Sequence, residues 1–290
     1  MKNKVFYFLI ISIFFCSCYN REKIVDKKDL LGTDFRLFQG TSVWELAKAV
    51  EDQDTFKIKN LVLESKLPID IQDEVFGNSL LMLSVTNSLY LSTKTLLELG
   101  ANPNLHDNCT GSTAVIDASN IDVYKDGRFL KLILKYGGDP NSTEDKPIKD
   151  SLSSRECSFA LLEAAKENIN LVKLLVEAGA NVSQVDKFQQ QTALGSAIVQ
   201  DKFDIALYLL NKGADYKMKI QLTTQSVDIL YLLRMSVFDL NSVDYKQKMK
   251  VVDFLKSKGL DYHNSPIPEQ IINQLKKSHP NNWHEYLDKY

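Results

Sequence analysis

The stretch from Ala160 to Asn181 constrains this chain more than any other. Leu161 with Ala164 and Ala165, and Leu171 with Leu174 and Leu175, recur at the three- and four-residue steps that place side chains on one helical face. Between them the polar run Lys166 to Asn170 is long enough only for a tight connection, so the two predicted helices run antiparallel. Gly179 ends the second helix, because the position after a helix commonly takes a left-handed backbone that glycine adopts without steric cost. Two helices this short cannot bury their own apolar faces. They need neighbours of the same kind.

Those neighbours are in the sequence. Leu161 and Ala164 align with Leu46 and Ala49, Leu81 and Ser84, Val115 and Ala118, and Leu194 and Ala197. The second helix recurs as Leu96-Leu97-Glu98-Leu99-Gly100-Ala101-Asn102, as Leu132-Ile133-Leu134-Lys135-Tyr136-Gly137-Gly138-Asp139 and as Leu209-Leu210-Asn211-Lys212-Gly213-Ala214-Asp215. The regular steps are roughly 33 to 35 residues. Their openings, Ser79-Leu80-Leu81-Met82, Thr113-Ala114-Val115-Ile116 and Thr192-Ala193-Leu194-Gly195, resemble the Thr-Pro-Leu-His that begins an ankyrin repeat, without its proline and histidine. The resemblance implies an all-α ankyrin-repeat solenoid of antiparallel helix pairs with hairpin-like connections. About five to six repeats would fill residues 41–265, with a helical cap over 266–290 in which Pro268 starts a helix and Trp283, Tyr286 and Leu287 cover the last repeat.

The connections share a second regularity. Asp70 is followed by Asp73, Gly77 and Ser79; Asn104 by Asp107, Gly111 and Thr113; and Ser183 by Asp186, Gln190 and Thr192. In an ankyrin array these are the hairpin fingers, and Asp73, Asp107 and Asp186 are expected to cap turns by accepting backbone N–H bonds. Two insertions break the period, one near 139–156 and one near 239–248. The first is either a binding loop on a rigid scaffold or a tolerated insertion with no partner.

The chain opens with Lys2 and Lys4 ahead of an apolar run from Val5 to Phe15, too short to span a bilayer and suited to the core of a signal peptide over 1–17. Phe15-Cys16-Ser17-Cys18 resembles the lipobox of bacterial lipoproteins, which implies lipidation at Cys18; the plainer alternative is an ordinary cleaved signal with incidental cysteines. Each buried methylene of a lipid chain contributes about 0.8 kcal/mol, so two or three chains hold a protein at a membrane. Residues 18–40 lack sustained periodicity and are expected to form a tether with a reach on the order of 25 Å, unless Phe35, Leu37 and Phe38 fold back onto the first repeat.

With 44% hydrophobic and 25% charged residues the chain is of folded composition, and a formal net charge of −2 without a basic cluster argues against nucleic acid as a partner. The 4 histidines, His106, His263, His279 and His284, have no metal-ligand spacing, and no phosphate loop or serine elbow occurs, so no catalytic residue, metal or cofactor is expected. Cys109 and Cys157 precede inner helices and read as small, partly buried residues, with a disulfide as the lesser alternative. The expected role is recognition of a protein partner by a monomer, lipid-anchored in the bacterial cell envelope and facing the periplasm. Candidate contacts are Phe76, His106, Asn108, Phe188 and Tyr216 at the fingers. Within that class an immunity or inhibitor protein against a secreted toxin or enzyme is favoured, with an envelope adaptor and an unrecognised enzyme as the other readings.

Overall fold

The computed structural model describes residues 20–120, 126–145, 157–186, 190–221 and 225–289. The signal peptide, Cys18, Phe188 and residues 146–156 of the first insertion lie outside the described residues.

Among the described residues six helix pairs follow one another. The inner helices are α1 (Trp44–Glu51), α3 (Leu80–Thr86), α5 (Ala114–Asn120), α7 (Ala160–Ala165), α9 (Ala193–Val199) and α11 (Ile229–Met235). Each is followed by an outer helix: α2 (Thr55–Leu63), α4 (Tyr90–Glu98), α6 (Arg128–Lys135), α8 (Ile169–Glu177), α10 (Phe203–Asn211) and α12 (Val243–Ser257). Inner helix packs on inner helix and outer on outer along the whole array. The interior is therefore continuous: one buried cluster runs from Leu30 to Tyr262 and includes the aligned Leu46, Leu81, Val115, Leu161 and Leu194. In α7 every residue except Glu163 is buried, because the flanking repeats cover both of its sides. The protein is an all-α solenoid of antiparallel pairs, and the left-handed Gly179, at φ +96°, closes α8 as its place in the repeat requires.

The worn motif keeps its first function. Ser79 and Thr192 cap α3 and α9 by accepting the Met82 and Gly195 N–H at 3.2 and 3.0 Å. Gly195 stands where the motif has histidine, and the reason is the next connection: a side chain there would run into Ile220, which fills that space. Ile220 belongs to a short antiparallel hairpin, β1 (Ile220–Gln221) with β2 (Ser226–Val227), and isolated bridges Gln72 to Ser79, Thr143 to Phe159 and Val185 to Thr192 form the stems of the earlier fingers.

Two expectations need correction, and the place of the first insertion becomes definite. Residues 20–40 are no free tether over their described length. Short 3-10 turns at Lys27–Asp29 and Phe35–Phe38 pack them onto the first repeat, with Leu37 and Phe38 fully buried against α1. This is the fold-back alternative, and its cause is simple: among the described residues no repeat precedes α1, and its open side takes Phe35, Leu37 and Phe38. The insertion at 239–248 is in large part helix, since α12 starts at Val243 and is 15 residues long. The surplus at 139–156 falls inside the third finger, because Thr143 still pairs with Phe159 and Glu144 donates its N–H to the Ser158 carbonyl at 2.8 Å.

At the far end Pro268 precedes α13 (Glu269–Ser278), and α14 (Trp283–Lys289) follows. Ile271, Leu275 and Tyr286 make a second small core with Trp283 and Leu287 against Val237, Leu240 and Tyr245. Beside it Arg234 and Lys248 are buried. Arg234 stacks 4.0 Å from the Tyr262 ring and donates to the Tyr262 and His263 carbonyls, and Lys248 donates to the Ser236 carbonyl at 3.1 Å. Burial holds the Lys248 ammonium down to about 6, with the Arg234 charge acting in the same direction.

Candidate partner-binding face

The first four fingers are each built around a buried acid. Asp73 accepts the N–H groups of Val75, Phe76 and Asn78 at 2.7 to 2.9 Å. Asp107 accepts those of Cys109, Thr110 and Ser112 at 2.6 to 2.8 Å, and the Thr110 hydroxyl at 2.7 Å. Asp186 accepts from Gln191 N–H. Glu144 occupies the same place in the third finger and accepts from Ser158 N–H at 2.9 Å. Sequence reasoning passed over Glu144 because the insertion that follows it breaks the spacing on which the other three were found.

The fingers are also tied sideways, from repeat to repeat. Asp70 accepts Asn102 N–H, Asn104 accepts Asp139 N–H, Asn141 accepts Asn181 N–H and the Ser183 hydroxyl accepts Asp215 N–H, all at 2.7 to 2.9 Å. Three of these acceptors, Asp70, Asn104 and Ser183, are the residues that open the finger spacing in the sequence. At the tips the Asn108 N–H donates to the Phe76 carbonyl at 2.7 Å, and the Gln72 amide donates to the His106 carbonyl at the same distance. A Cβ on Gly111, at φ +75°, would collide with Asp145 of the next finger. The result is a fixed surface, since every finger braces its neighbour.

Where the second and third fingers meet α5 and α7, an open cleft of about 590 Å³ is lined by Asp107, Thr110, Ser112, Ile116, Asp117, Asn120, Glu144, Ser158, Glu163 and Lys166. Its floor repeats from one unit to the next. The Ser112 hydroxyl donates to Asp117 at 2.8 Å and the Ser158 hydroxyl donates to Glu163, in each case from five residues before the acid. Lys166 donates to Glu163 at 2.7 Å. Four carboxylates thus face one ammonium group. Enclosure pushes the Asp117 carboxyl up to about 7, opposed by the Ser112 hydrogen bond and reinforced by the charges of Asp107 and Glu144.

The first part of the same concave surface is already covered. Asn78 and Asn87, on the second repeat, donate to the Gly32 and Thr33 carbonyls at 2.9 Å, so the N-terminal strap crosses α3. The accessible inner face therefore begins beyond it, at the acidic cleft.

Of the expected contacts, His106 and Asn108 are exposed on the second finger, His106 with Nδ1 2.7 Å from the Gly111 carbonyl and 4.0 Å from Asp145. Phe76 is no projecting anchor. It is half-buried, with its ring against Gly32 of the strap. Tyr216 is half-buried against the main core, with Lys217 above its ring. Cys109 is exposed and Cys157 buried. Among the described residues no group of three or more His, Cys, Asp or Glu side chains is placed to hold a metal ion, and no helix is long and apolar enough to cross a membrane.

Residues 121–220 match the family described as ankyrin repeats, in three copies. This stretch carries ankyrin repeats. A mouse protein, ankyrin repeat and SAM domain-containing protein 6, is 30% identical over 114 residues, which is 39% of this chain and 13% of that protein's length. The crystal structure of EF0377, an ankyrin repeat protein, matches with a TM-score of 0.52 at 22% identity, over 74% of this chain and 98% of that one. At that identity the likeness concerns the fold, and it agrees with the stacked helix pairs and fingers described above. Ankyrin repeats are typically protein–protein interaction modules.

Proposed function

We propose that this protein is a non-enzymatic recognition module that seats one protein partner on its concave face, held in a bacterial cell envelope by lipid on Cys18 and facing the periplasm. The observation that carries the reading is the cleft between the second and third fingers, preformed on a braced surface and lined by acids from two successive repeats. A preorganised surface loses little entropy on binding, which suits one tightly held partner better than several weak ones. Its charge suits a segment that presents lysine or arginine. Tight capture of a single basic loop is what an inhibitor of, or immunity factor against, a secreted enzyme or toxin requires. The anchor rests on Cys18 and the segment before it.

The test is capture from envelope extracts at pH 8 with the lipidated chain, alongside Asp117→Asn/Glu163→Gln, which there removes two carboxylates and keeps the shape. A partner retained by the wild type and lost by the variant supports the reading, and inhibition of that partner's activity supports the immunity role. Equal retention by both overturns the assignment to the cleft.

One observation favours a second reading. Clustered carboxyls with one raised toward neutrality occur in acid–base sites, and Asp117 beside Asp107 and Glu144 has that form. Against it, Asp107 and Glu144 hold finger backbone, and Glu163 is engaged by Ser158 and Lys166. Turnover of a substrate by the wild type, abolished in Asp117→Asn, would favour the enzyme.

A further inference from the structure

The described chain starts at Asn20, and by Arg21 it is already tied down. The Arg21 guanidinium donates to both carboxylate oxygens of Asp52 at 2.7 and 3.0 Å and to Glu51 at 3.3 Å, where α1 ends and the turn into α2 begins. Glu22 continues the attachment along α1, accepting from Lys48 at 2.9 Å. In the sequence only Tyr19 and Asn20 separate Arg21 from Cys18. Three extended steps of chain span about 10 Å. A lipid on Cys18 therefore cannot hold the array far from the bilayer.

The side that would face the membrane has a composition of its own. Antiparallel pairs give the solenoid two long edges, one with the finger tips and one with the turns from inner to outer helix. Seven large apolar side chains are exposed among the described residues: Ile24, Leu31, Phe56, Leu63, Leu91, Val199 and Val243. Phe56 and Leu91 are the second residues of α2 and α4, Val243 is the first of α12 and Val199 the last of α9, so four of the seven lie on the turn edge. Only Leu63 lies at the finger edge, and Ile24 and Leu31 belong to the N-terminal strap. Phe56 is 74% and Leu91 52% exposed, and they flank the point of attachment: Leu91 N–H donates at 3.0 Å to Gln53, in the same turn as Asp52. The neighbouring acids are engaged, Glu51 and Asp52 by Arg21 and Asp54 by Lys57 N–H at the start of α2.

We propose that the turn edge of the first two repeats lies on the bilayer surface, with Phe56 and Leu91 entering the interfacial layer and the finger tips turned toward water. The inference rests on the lipid-anchor reading and adds the orientation. The anchor supplies the affinity, and the apolar side chains select which edge faces the lipid. The occupant is a bilayer because a chain this short between anchor and fold brings that edge to the lipid and to nothing else.

The test uses the full lipidated chain in phosphatidylcholine vesicles. In a Cys109→Ser background, Phe56→Cys, Leu91→Cys or Asn211→Cys carries a bimane label; Asn211 is exposed at the finger end of α10. Vesicles with a nitroxide near the headgroup should quench bimane at 56 and 91 by several-fold and leave it at 211 unchanged. Mass spectrometry of the same sample reports the acyl chains on Cys18. Acylated protein without quenching at 56 and 91, or with equal quenching at all three positions, overturns the orientation and leaves the anchor standing. Protein without acyl chains overturns the anchor reading, and the orientation falls with it.

Discussion

Among the described residues, Asp117 and Lys248 are the two side chains whose protonation the fold shifts most within the accessible pH range, and they act in opposite directions. The folded protein raises Asp117 from 3.8 to about 7. Between those values the native state binds the proton more tightly than the unfolded chain, so this group's contribution to stability declines as pH rises from about 4 to about 7. Asp117→Asn should remove that decline and gain on the order of 1 kcal/mol at pH 8, a figure kept small because the carboxyl is partly wetted. Urea midpoints measured across the range check it, and an unchanged slope refutes it. The proposed partner should bind the wild type more tightly above pH 7, where Asp117 is ionised. Lys248 is lowered from 10.5 to about 6, so its contribution improves as pH rises through that interval. Lys248→Met should therefore gain more over the wild type at pH 7 than at pH 10, in the same titration. Neither residue stands out in the sequence: Asp117 is one acid on a short helix, and Lys248 one lysine in a polar run. Their environments come from chain far away, including Glu144 for the first and Arg234 for the second.

At the scale of the element, the fingers and the N-terminal strap differ in how legible they were. The finger acids could be read because a turn of fixed length needs an acceptor at a fixed place, and Asp73, Asp107 and Asp186 recur there. Asp107→Ala leaves three backbone N–H groups without their acceptor and should cost about 2 kcal/mol, read as a shift of the urea midpoint, with faster amide exchange confined to 107–113. The strap was concealed for the opposite reason. Its 3-10 turns are three and four residues long, too short to show a period, and its apolar side chains gain meaning only against α1. Because Phe38 is fully buried there, Phe38→Ala should cost about 3 to 5 kcal/mol and open the α1 and α2 amides first, while those of α9 and α10 keep their protection. Uniform loss of protection along the array would contradict a capping role.

For the whole molecule, the architecture was visible because every repeat reuses the same buried positions, and a period survives even where its signature residues are worn. The cleft was not visible. It joins Asp107 and Asp117 of one repeat to Glu144 and Glu163 of the next, across the longest break in the spacing. Of the candidate contacts, the Phe76 ring lies against Gly32 of the strap, a neighbour that the finger spacing does not reveal, while His106 and Asn108 stay exposed. What the stack provides is a braced inner face, closed at one end by its own N-terminal strap and open where the acids gather. The most direct measurement is the hydrogen-exchange footprint of the captured partner on the full chain. Slowed exchange concentrated in 107–120 and 157–166 is the result this account predicts; slowed exchange on the outer helices, with the cleft unchanged, would contradict it.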